Sequence, residues 1–274
     1  MNFRQKTLSL ILLTAMTFGA CTSPKVESGD SAPTVDTNLQ GYIMVHLEPH
    51  SEVDLDEHWV YLQELIELSD SYDHKLTLSF TANWEPLLLN DSEALALVHE
   101  WEANGHEISA HHHETTHAAW DGYTNDPSYR KDPRYKGDIE DMMEIIYQFS
   151  ATGSVLSGSM KDPGLDWPEG LLYRSYGSVK DKLDNLMSLP LEEVINEETV
   201  LTLTKAAYLT GKPVDVELGD IEEAILGAYE GEVLGLTLSD ESFSNSGVFD
   251  GVEDLFVLLA EEGVQIQTLS SLLD

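Results

Sequence analysis

A regular alternation of strand-like and helix-like segments over residues 41–117 is the feature that most constrains the fold. Apolar runs at Gly41–Pro49 and Lys75–Phe80 predict buried strands, and the segment between them carries apolar side chains at helical spacing. A second helix is predicted over Ser92–Ala103, and a glycine turn then leads into a third strand. Because the connections between these segments are short, the strands should run parallel and be covered by helices.

The rest of the chain continues the α/β pattern less regularly. Helices are predicted near residues 138–149, 179–187, 191–197, 220–229 and 252–262, and strands near 154–160, 200–204, 233–238 and 264–269. A long polar loop, Ala118–Lys136, follows the third strand, and loops of this length in compact domains are often functional. The sequence contains no recognisable internal repeat or second core, so residues 40–274 are predicted to form a single α/β domain, a barrel.

The third predicted strand runs into the densest group of histidines, because residues 105–117 hold five of the ten histidines in the chain. On a strand, residues two apart point to the same face, so His111 and His113 should project together and His112 the other way. His117 lies four residues beyond His113 and can fold back to join the pair. Imidazoles grouped in this way suit a divalent metal such as Zn, whereas the alternative interpretation is a solvated His-rich loop.

Further candidate side chains lie where other predicted strands end. In a parallel α/β barrel the working residues sit at the C-terminal ends of the strands. The first predicted strand ends with His46 and Glu48, and Asp240 follows the penultimate one. Together with the histidines of the third strand, these residues predict a metal site of imidazoles and a carboxylate, with room for a water. A carboxylate or imidazole left over beside the metal can serve as general base or acid.

The order strand, helix, strand, helix, followed by the pattern Gly-His-Glu-Ile-x-x-His at Gly105–His111, resembles the polysaccharide deacetylase family, also called the NodB homology domain or carbohydrate esterase family 4. The closing segment, residues 254–273, is similar to the end of that family's domain. The resemblance covers residues 41–273. It implies a distorted (β/α) barrel and metal-dependent removal of N- or O-acetyl groups from a glycan.

The resemblance also implies residue roles, with departures from the family pattern at the first and last motifs. The family's first motif carries an Asp pair, where this chain has His46 and Glu48. Glu48 is the implied metal ligand, and His46 is the implied base or second-site ligand. The family's late Leu-His-Asp string corresponds to Leu238–Asp240, with Ser239 at the position of the acid histidine. We therefore expect His46 or Asp240 to handle the catalytic proton.

The second motif departs from the family pattern as well. Its second ligand histidine falls at Thr115, so His113 or His117 is expected to join His111 and Glu48 around the metal. His106 and His112 are expected to be structural. The tryptophans that fall in loops are candidates for stacking on sugar rings, although a lone tryptophan is more often a packing residue; they are Trp84, Trp120 and Trp167.

The N-terminal residues predict export. Residues 1–20 have the basic start, apolar stretch and small-residue end of a signal peptide. Phe18–Cys21 resembles the lipobox of bacterial lipoproteins, in which Cys21 becomes the lipidated terminus; the alternative is an ordinary signal peptide followed by a free thiol. Residues 21–39 have the composition of a flexible tether. The expected location is the bacterial cell envelope, either periplasmic or on the cell surface.

The charge and the missing motifs narrow the class of function. The chain has 14 Lys and Arg against 50 Asp and Glu, a net charge of −36, which repels nucleic acid and anionic lipid headgroups. The sequence has no Gly-x-Ser-x-Gly elbow and no phosphate-binding glycine loop. We therefore predict a monomeric, Zn-dependent, divergent polysaccharide deacetylase-like hydrolase that binds a glycan and meets the membrane only through a lipid anchor. The alternatives are a non-catalytic glycan-binding or metal-binding envelope lipoprotein on the same fold.

Overall fold

The computed structural model describes residues 39–49, 52–160, 164–175, 186–203, 207–208, 214–239 and 246–274. The strands are β1 (Gln40–Leu47), β2 (Thr77–Phe80), β3 (Glu107–His111), β4 (Ser157–Ser159), β5 (Tyr173–Ser175), β6 (Met187–Ser188), β7 (Leu191–Ile195), β8 (Glu198–Leu203), β9 (Ala207–Tyr208), β10 (Val233–Ser239) and β11 (Gln265–Ile266). The helices are α1 (Glu52–Ser71), α2 (Glu85–Leu88), α3 (Ser92–Ala103), α4 (Ile139–Ile146), α5 (Val214–Leu226), α6 (Ser246–Glu261) and α7 (Leu269–Leu273). Short 3-10 helices cover Ala82–Trp84, Pro127–Lys131, Tyr147–Phe149 and Gly164–Asp166.

The strands form one curled sheet, a half-barrel, in the order β6-β10-β1-β2-β3-β4-β5-β8-β7. The strands from β10 through to β8 run parallel, while β6 and β7 pair antiparallel at the two ends of this order. The predicted distorted α/β barrel is therefore confirmed. Parallel strands need long crossover connections, which the helices between consecutive strands provide.

Strand β1 shows how alternation along one strand separates two cores. Ile43, Val45 and Leu47 belong to the large core beneath the covering helices, whereas Tyr42 and Met44 belong to a smaller core inside the barrel. Both sets are fully buried, which explains why β1 is an almost continuous apolar run. The same parity points the two polar residues at its end, His46 and Glu48, toward the barrel interior.

Helix α7 closes the N-terminal end of the barrel interior. Its Leu269 and Leu273 pack with Tyr42, Met44 and Tyr173. The Thr268 hydroxyl caps the helix by accepting from the Ser271 amide at 3.4 Å. We call this end, formed by α7 and the residues packed on it, the floor. The opposite end, formed by the C-terminal ends of β1, β3, β4 and β10, is called the mouth.

Two predicted elements near the end of the sheet were wrong. The helix predicted at 191–197 is instead strand β7 and a two-residue hairpin turn into β8. Asn196 and Glu197 both have positive φ, 49° and 71°, as a type I′ turn requires. The strand predicted at 264–269 is only Gln265–Ile266, since Leu269 already begins α7. Most of the helix predicted at 179–187 lies outside the described residues. Within the described ranges, no helix has the length and apolar character needed to cross a membrane.

Candidate metal centre

Three side chains converge at the mouth of the barrel. Within the part of the chain that the structure describes, His46, Glu48 and His111 form a group in which one potential ligand atom from each lies within 4.8 Å of the other two. Each of the three is less than a tenth exposed. His46 and Glu48 follow from the parity of β1, and His111 is the last residue of β3. Strands β1 and β3, which flank β2 in the parallel sheet, therefore deliver an imidazole, a carboxylate and a second imidazole to one point.

The carboxylate of Glu48 is held from several sides. Ser239 Oγ donates to Oε1 at 3.2 Å, His111 Nε2 lies 3.3 Å from Oε2, and His113 Nε2 also contacts Oε2. Burial alone would raise the pKa of Glu48, but the hydrogen bonds from His111 and His113 outweigh it and hold the pKa well below its usual range. Glu48 is therefore an ionised carboxylate, the form that binds a metal.

The imidazoles of His111 and His113 are oriented by backbone carbonyls. His111 Nδ1 donates to the Ser159 carbonyl at 3.0 Å, and His113 Nδ1 donates to the Ala119 carbonyl at 3.0 Å. A carbonyl can only accept, so each Nδ1 carries a proton, and each Nε2, which faces Glu48 Oε2, would bind a metal through its lone pair once it gives up its own proton. Metal-ligating histidines are typically oriented in this way. The donor set therefore fits a divalent metal.

His46 is the third member of the group. Its Nε2 lies 2.9 Å from Ser159 Oγ, and its ring stacks on that of His111 with centroids 4.2 Å apart. Burial first, and then the charge of His111, hold the pKa of His46 well below its usual range despite the opposing effect of Glu48. A neutral imidazole in this position is a potential ligand, so His46 fits the ligand role that the sequence left open, and its catalytic role stays a prediction.

The remaining histidines continue as a row toward solvent. Ring centroids are 4.7 Å apart between His111 and His113 and 4.3 Å between His113 and His117. His117 is exposed, and its Nδ1 accepts from the Ala119 amide at 3.2 Å. A neutral ring with Nδ1 occupied as acceptor carries its proton on Nε2, which is not the ligand form. His117, predicted as a metal ligand, therefore stands outside the ligand group.

The two histidines that were predicted to be structural, His106 and His112, are both buried and hydrogen-bonded. His106 is buried, accepts from the Leu76 amide through Nδ1 at 3.1 Å, and places Nε2 3.3 Å from Asp70. His112 is buried on the face opposite the metal group and pairs with Asp121 at 2.9 Å. Burial lowers the pKa of His112, but Asp121 and Asp166 outweigh it and raise the pKa to about 9.

The predicted sugar-stacking tryptophans are all buried, at 0, 7 and 3% exposure for Trp84, Trp120 and Trp167. Trp84 packs edge-on against Phe80 and donates Nε1 to the Leu47 carbonyl. The ring of Trp120 is covered by the Arg134 guanidinium at 5.0 Å. This burial favours the packing interpretation, and stacking of these rings on a sugar stays a prediction.

A separate groove of about 860 Å³ lies between α4, the Gly164–Asp166 turn and the β7–β8 hairpin. Its walls include Tyr147, Trp167 and several carboxylates, but none of the three ligand residues. This groove is therefore distinct from the metal centre.

Two serines complete the centre that the sequence had only partly indicated. Ser159 ends β4 and Ser239 ends β10, and each contacts a member of the ligand group. The strand-end rule that identified His46 and His111 applies equally to them, although hydroxyl groups alone gave no metal-binding signal. Two predicted residues, the catalytic Asp240 and the lipidated Cys21, lie outside the described residues, and their roles stay predictions.

Comparisons with known proteins define the fold of this chain. No family model and no curated protein matches the sequence. Among solved structures, the chain is similar to a Mycobacterium smegmatis protein assigned as a polysaccharide deacetylase, with a TM-score of 0.55 and 12% identity over 88% of this chain and 91% of the other. It is also similar to the 4-alpha-glucanotransferase of Thermococcus litoralis, with a TM-score of 0.55 and 13% identity over 86% of this chain and 40% of the other.

These likenesses confirm the resemblance to polysaccharide deacetylases at the level of the fold. At 12 and 13% identity they show the fold alone. The two neighbours carry names for different reactions, so the shared architecture does not select a chemistry. The residues at the mouth carry the chemistry.

Proposed function

We propose that this protein is a divergent metal-dependent hydrolase that removes acyl groups, acetyl in particular, from a glycan. The observation that carries the proposal is the buried group of His46, Glu48 and His111 at the C-terminal ends of parallel strands. The fold neighbour assigned as a polysaccharide deacetylase supports the reaction class, and both neighbours' names refer to carbohydrate.

Zn is the proposed metal. Two neutral imidazoles and one carboxylate are a donor set typical of catalytic Zn sites, which leave a fourth position open. Zn bound there would polarise the acyl carbonyl and lower the pKa of a water. Ser239 and the backbone carbonyl of Ser159 hold Glu48 and His111 in place, so the protein supplies the fixed geometry that such a site requires.

His113 is the proposed proton carrier. Its side chain is 11% exposed, so it stands at the open side of the centre, and its Nε2 contacts Glu48. Because Nδ1 is committed to the Ala119 carbonyl, Nε2 is the atom that accepts and returns a proton. Asp240, next in the chain after Ser239, is the second candidate for this role.

The experiment combines metal analysis with an activity assay on the purified domain. We expect about one Zn per chain and acetate release from acetylated chitooligosaccharides or peptidoglycan that stops with a chelator and returns with Zn. His111→Ala should lose both the metal and the activity. His99→Ala, which removes a histidine from α3 away from the mouth, should keep both. Metal-free wild-type protein, or unchanged metal binding in His111→Ala, would refute the proposal.

A non-catalytic glycan-binding or metal-binding role is the second candidate. One observation favours it: Ser239 occupies the position of the expected acid histidine and holds Glu48 instead of offering a proton carrier of suitable pKa. Metal uptake without acetate release would support this candidate, and glycan binding by the metal-loaded protein would then separate its two forms.

We further propose that the protein acts at the cell envelope, anchored through a lipid on Cys21 and otherwise monomeric. The signal-like residues 1–20 and the lipobox-like Phe18–Cys21 support this location. Metabolic labelling with a palmitate analogue should label the wild type and not Cys21→Ser. Equal labelling of the two, or no labelling of either, would contradict the anchor.

A further inference from the structure

A buried cluster of one histidine between two carboxylates lies directly behind the metal centre. We call His112, Asp121 and Asp166 the Asp–His–Asp clamp. His112 stands between His111 and His113 in sequence but points to the opposite face, because successive residues alternate along an extended chain. The side chains of His112 and Asp121 are each 1% exposed, and that of Asp166 is 14% exposed. The clamp therefore belongs to the interior and not to the solvated acidic surface.

Asp121 connects both ends of the loop that carries His113. Its Oδ2 lies 2.9 Å from His112 Nδ1 and accepts the His113 amide at 3.2 Å. Its Oδ1 accepts the Tyr123 amide at 3.2 Å. The Ala119 carbonyl, two residues before Asp121, accepts His113 Nδ1. The Asp121 carboxylate thus fixes the backbone of His113. Through the short segment from Asp121 back to Ala119, it also fixes the carbonyl that orients the His113 ring.

Asp166 lies on the other side of the histidine, beyond hydrogen-bonding distance. Its Oδ2 lies 3.7 Å from His112 Nε2, and its carboxylate accepts from Thr124 Oγ1 at 3.0 Å and from the Asn125 amide at 2.7 Å. Asp166 ends the 3-10 helix after β4, whereas His112 directly follows β3. The clamp therefore ties the connections after two neighbouring strands to each other beside the centre.

Loss of one member of the clamp should destabilise the fold, because a charge would be left buried without its partner. A buried charge without its partner is strongly unfavourable, and well-packed apolar residues could replace the whole group with little loss of stability. The clamp also hydrogen-bonds the backbone amide of His113, so it can influence the geometry of the metal centre.

We propose that Asp121 and His112 are positioning residues for the metal centre, acting through the backbone of His113 and the Ala119 carbonyl to aim the His113 imidazole at the ligand Glu48. This inference rests on the metal centre of the proposed function. It assigns no contact between the clamp and metal or substrate. It predicts that the clamp sets metal affinity and coordination geometry beyond any contribution to folding.

The same strand offers a matched control at its other end. His106 precedes β3, is buried, and pairs with Asp70 at 3.3 Å, much as His112 pairs with Asp121. Hydrogen bonds join the His106–Asp70 pair to the Leu76 amide and the Lys75 ammonium, neither of which belongs to a ligand residue. Asp70→Asn therefore removes a histidine–carboxylate pair from the same strand without touching the loop that carries His113.

The test compares Asp121→Asn and Asp70→Asn with the wild type as purified full domains. Zn affinity is measured by calorimetry, the Co²⁺-substituted proteins are compared by their visible spectra, and unfolding is followed in parallel. We expect Asp121→Asn to weaken Zn binding about 10- to 100-fold and to change the Co²⁺ spectrum. Asp70→Asn should keep the spectrum and bind Zn within about twofold of wild type, the scatter expected of a distant site.

Wild-type affinity and spectrum in Asp121→Asn would overturn the inference and leave the proposed function standing. Equal losses in both variants would also overturn it, because the effect would then be one of general stability. If Asp121→Asn does not fold, His112→Gln decides: a Zn affinity below that of Asp70→Asn with an altered spectrum supports positioning, and unchanged binding refutes it. A wild type that binds neither Zn nor Co²⁺ overturns the proposed function itself, and this inference with it.

Discussion

The mouth and the floor of the barrel interior are built by the same strands, yet they have opposite chemistry. On β1, Tyr42 and Met44 pack against α7 at the floor, and His46 and Glu48 join His111 at the mouth. All of these residues share one parity, so a step of two residues along a strand changes the interior from apolar packing to a charged, hydrogen-bonded centre. Stability and chemistry are therefore encoded at separate ends of one face, and substitutions should affect them separately.

The sharpest test of this separation is Glu48→Gln at the mouth. The change keeps the shape of the side chain but removes the negative charge that faces His111 and His113. We expect Zn affinity to fall by more than about 1000-fold, or about 4 kcal/mol, because a charged ligand is lost. Calorimetric titration measures the affinity, and thermal unfolding of the metal-free protein should change far less. A metal-free Glu48→Gln protein that is also severely destabilised would show that the mouth carries stability as well.

The complementary change is Leu269→Ala at the floor. Leu269 is fully buried against the interior of the barrel, and its truncation leaves a cavity. We expect a loss of about 2–5 kcal/mol in the free energy of unfolding, measured by urea denaturation, with Zn affinity unchanged in the folded protein. Leu272→Ala in the same helix is the matched control, since Leu272 is only partly buried and should cost less. Weaker Zn binding in Leu269→Ala would show that the two ends are coupled.

Much of the difference between the mouth and the floor could be predicted from the sequence, because it depends on local patterns along each strand. Periodicity placed β1, α3 and β10 correctly, and strand-end positions identified His46, Glu48 and His111. Alternation also assigned His112 to the face opposite His111. These predictions needed only the direction in which a side chain points along its own strand.

The features that the sequence did not predict depend on contacts between distant segments or on backbone conformation. Ser159 meets His46 across 113 residues of chain, and no local pattern reports such a pairing. The β7–β8 hairpin was predicted as a helix because the sequence does not show that Asn196 and Glu197 adopt positive φ. His117 has suitable spacing for a ligand, but its Nδ1 accepts the Ala119 amide in the fold.

A smaller effect is expected for a hydrogen bond that Tyr42 makes inside the barrel. The Tyr42 hydroxyl lies 2.9 Å from Ser175 Oγ in the buried interior, and burial outweighs this hydrogen bond in raising the pKa of Tyr42. Tyr42→Phe should cost about 1 kcal/mol in the free energy of unfolding, because a buried partner is left without its bond. Urea denaturation measures the loss, and Zn affinity should not change. Tyr173→Phe, whose hydroxyl contact to Asp274 is 3.4 Å long, should cost less; a larger loss there would reverse the expected order.

The smallest effect concerns pH and lies near the floor. Glu107 Oε2 accepts from Thr77 Oγ1 and from the Ser270 amide at the start of α7. Burial raises the pKa of Glu107, and the hydrogen bonds from Ser157 and Ser270 only partly offset it. As pH rises through the ordinary carboxyl pKa of about 4.5, the unfolded chain releases its proton first, so stability falls until the pH passes the raised pKa of the folded state.

Glu107→Gln cannot ionise, so its free energy of unfolding relative to wild type should improve as pH rises from about 4 to 7. Urea denaturation at several pH values measures the difference; parallel curves for the two proteins would mean that Glu107 is ionised in the fold, and that the floor, like the mouth, holds a buried charge.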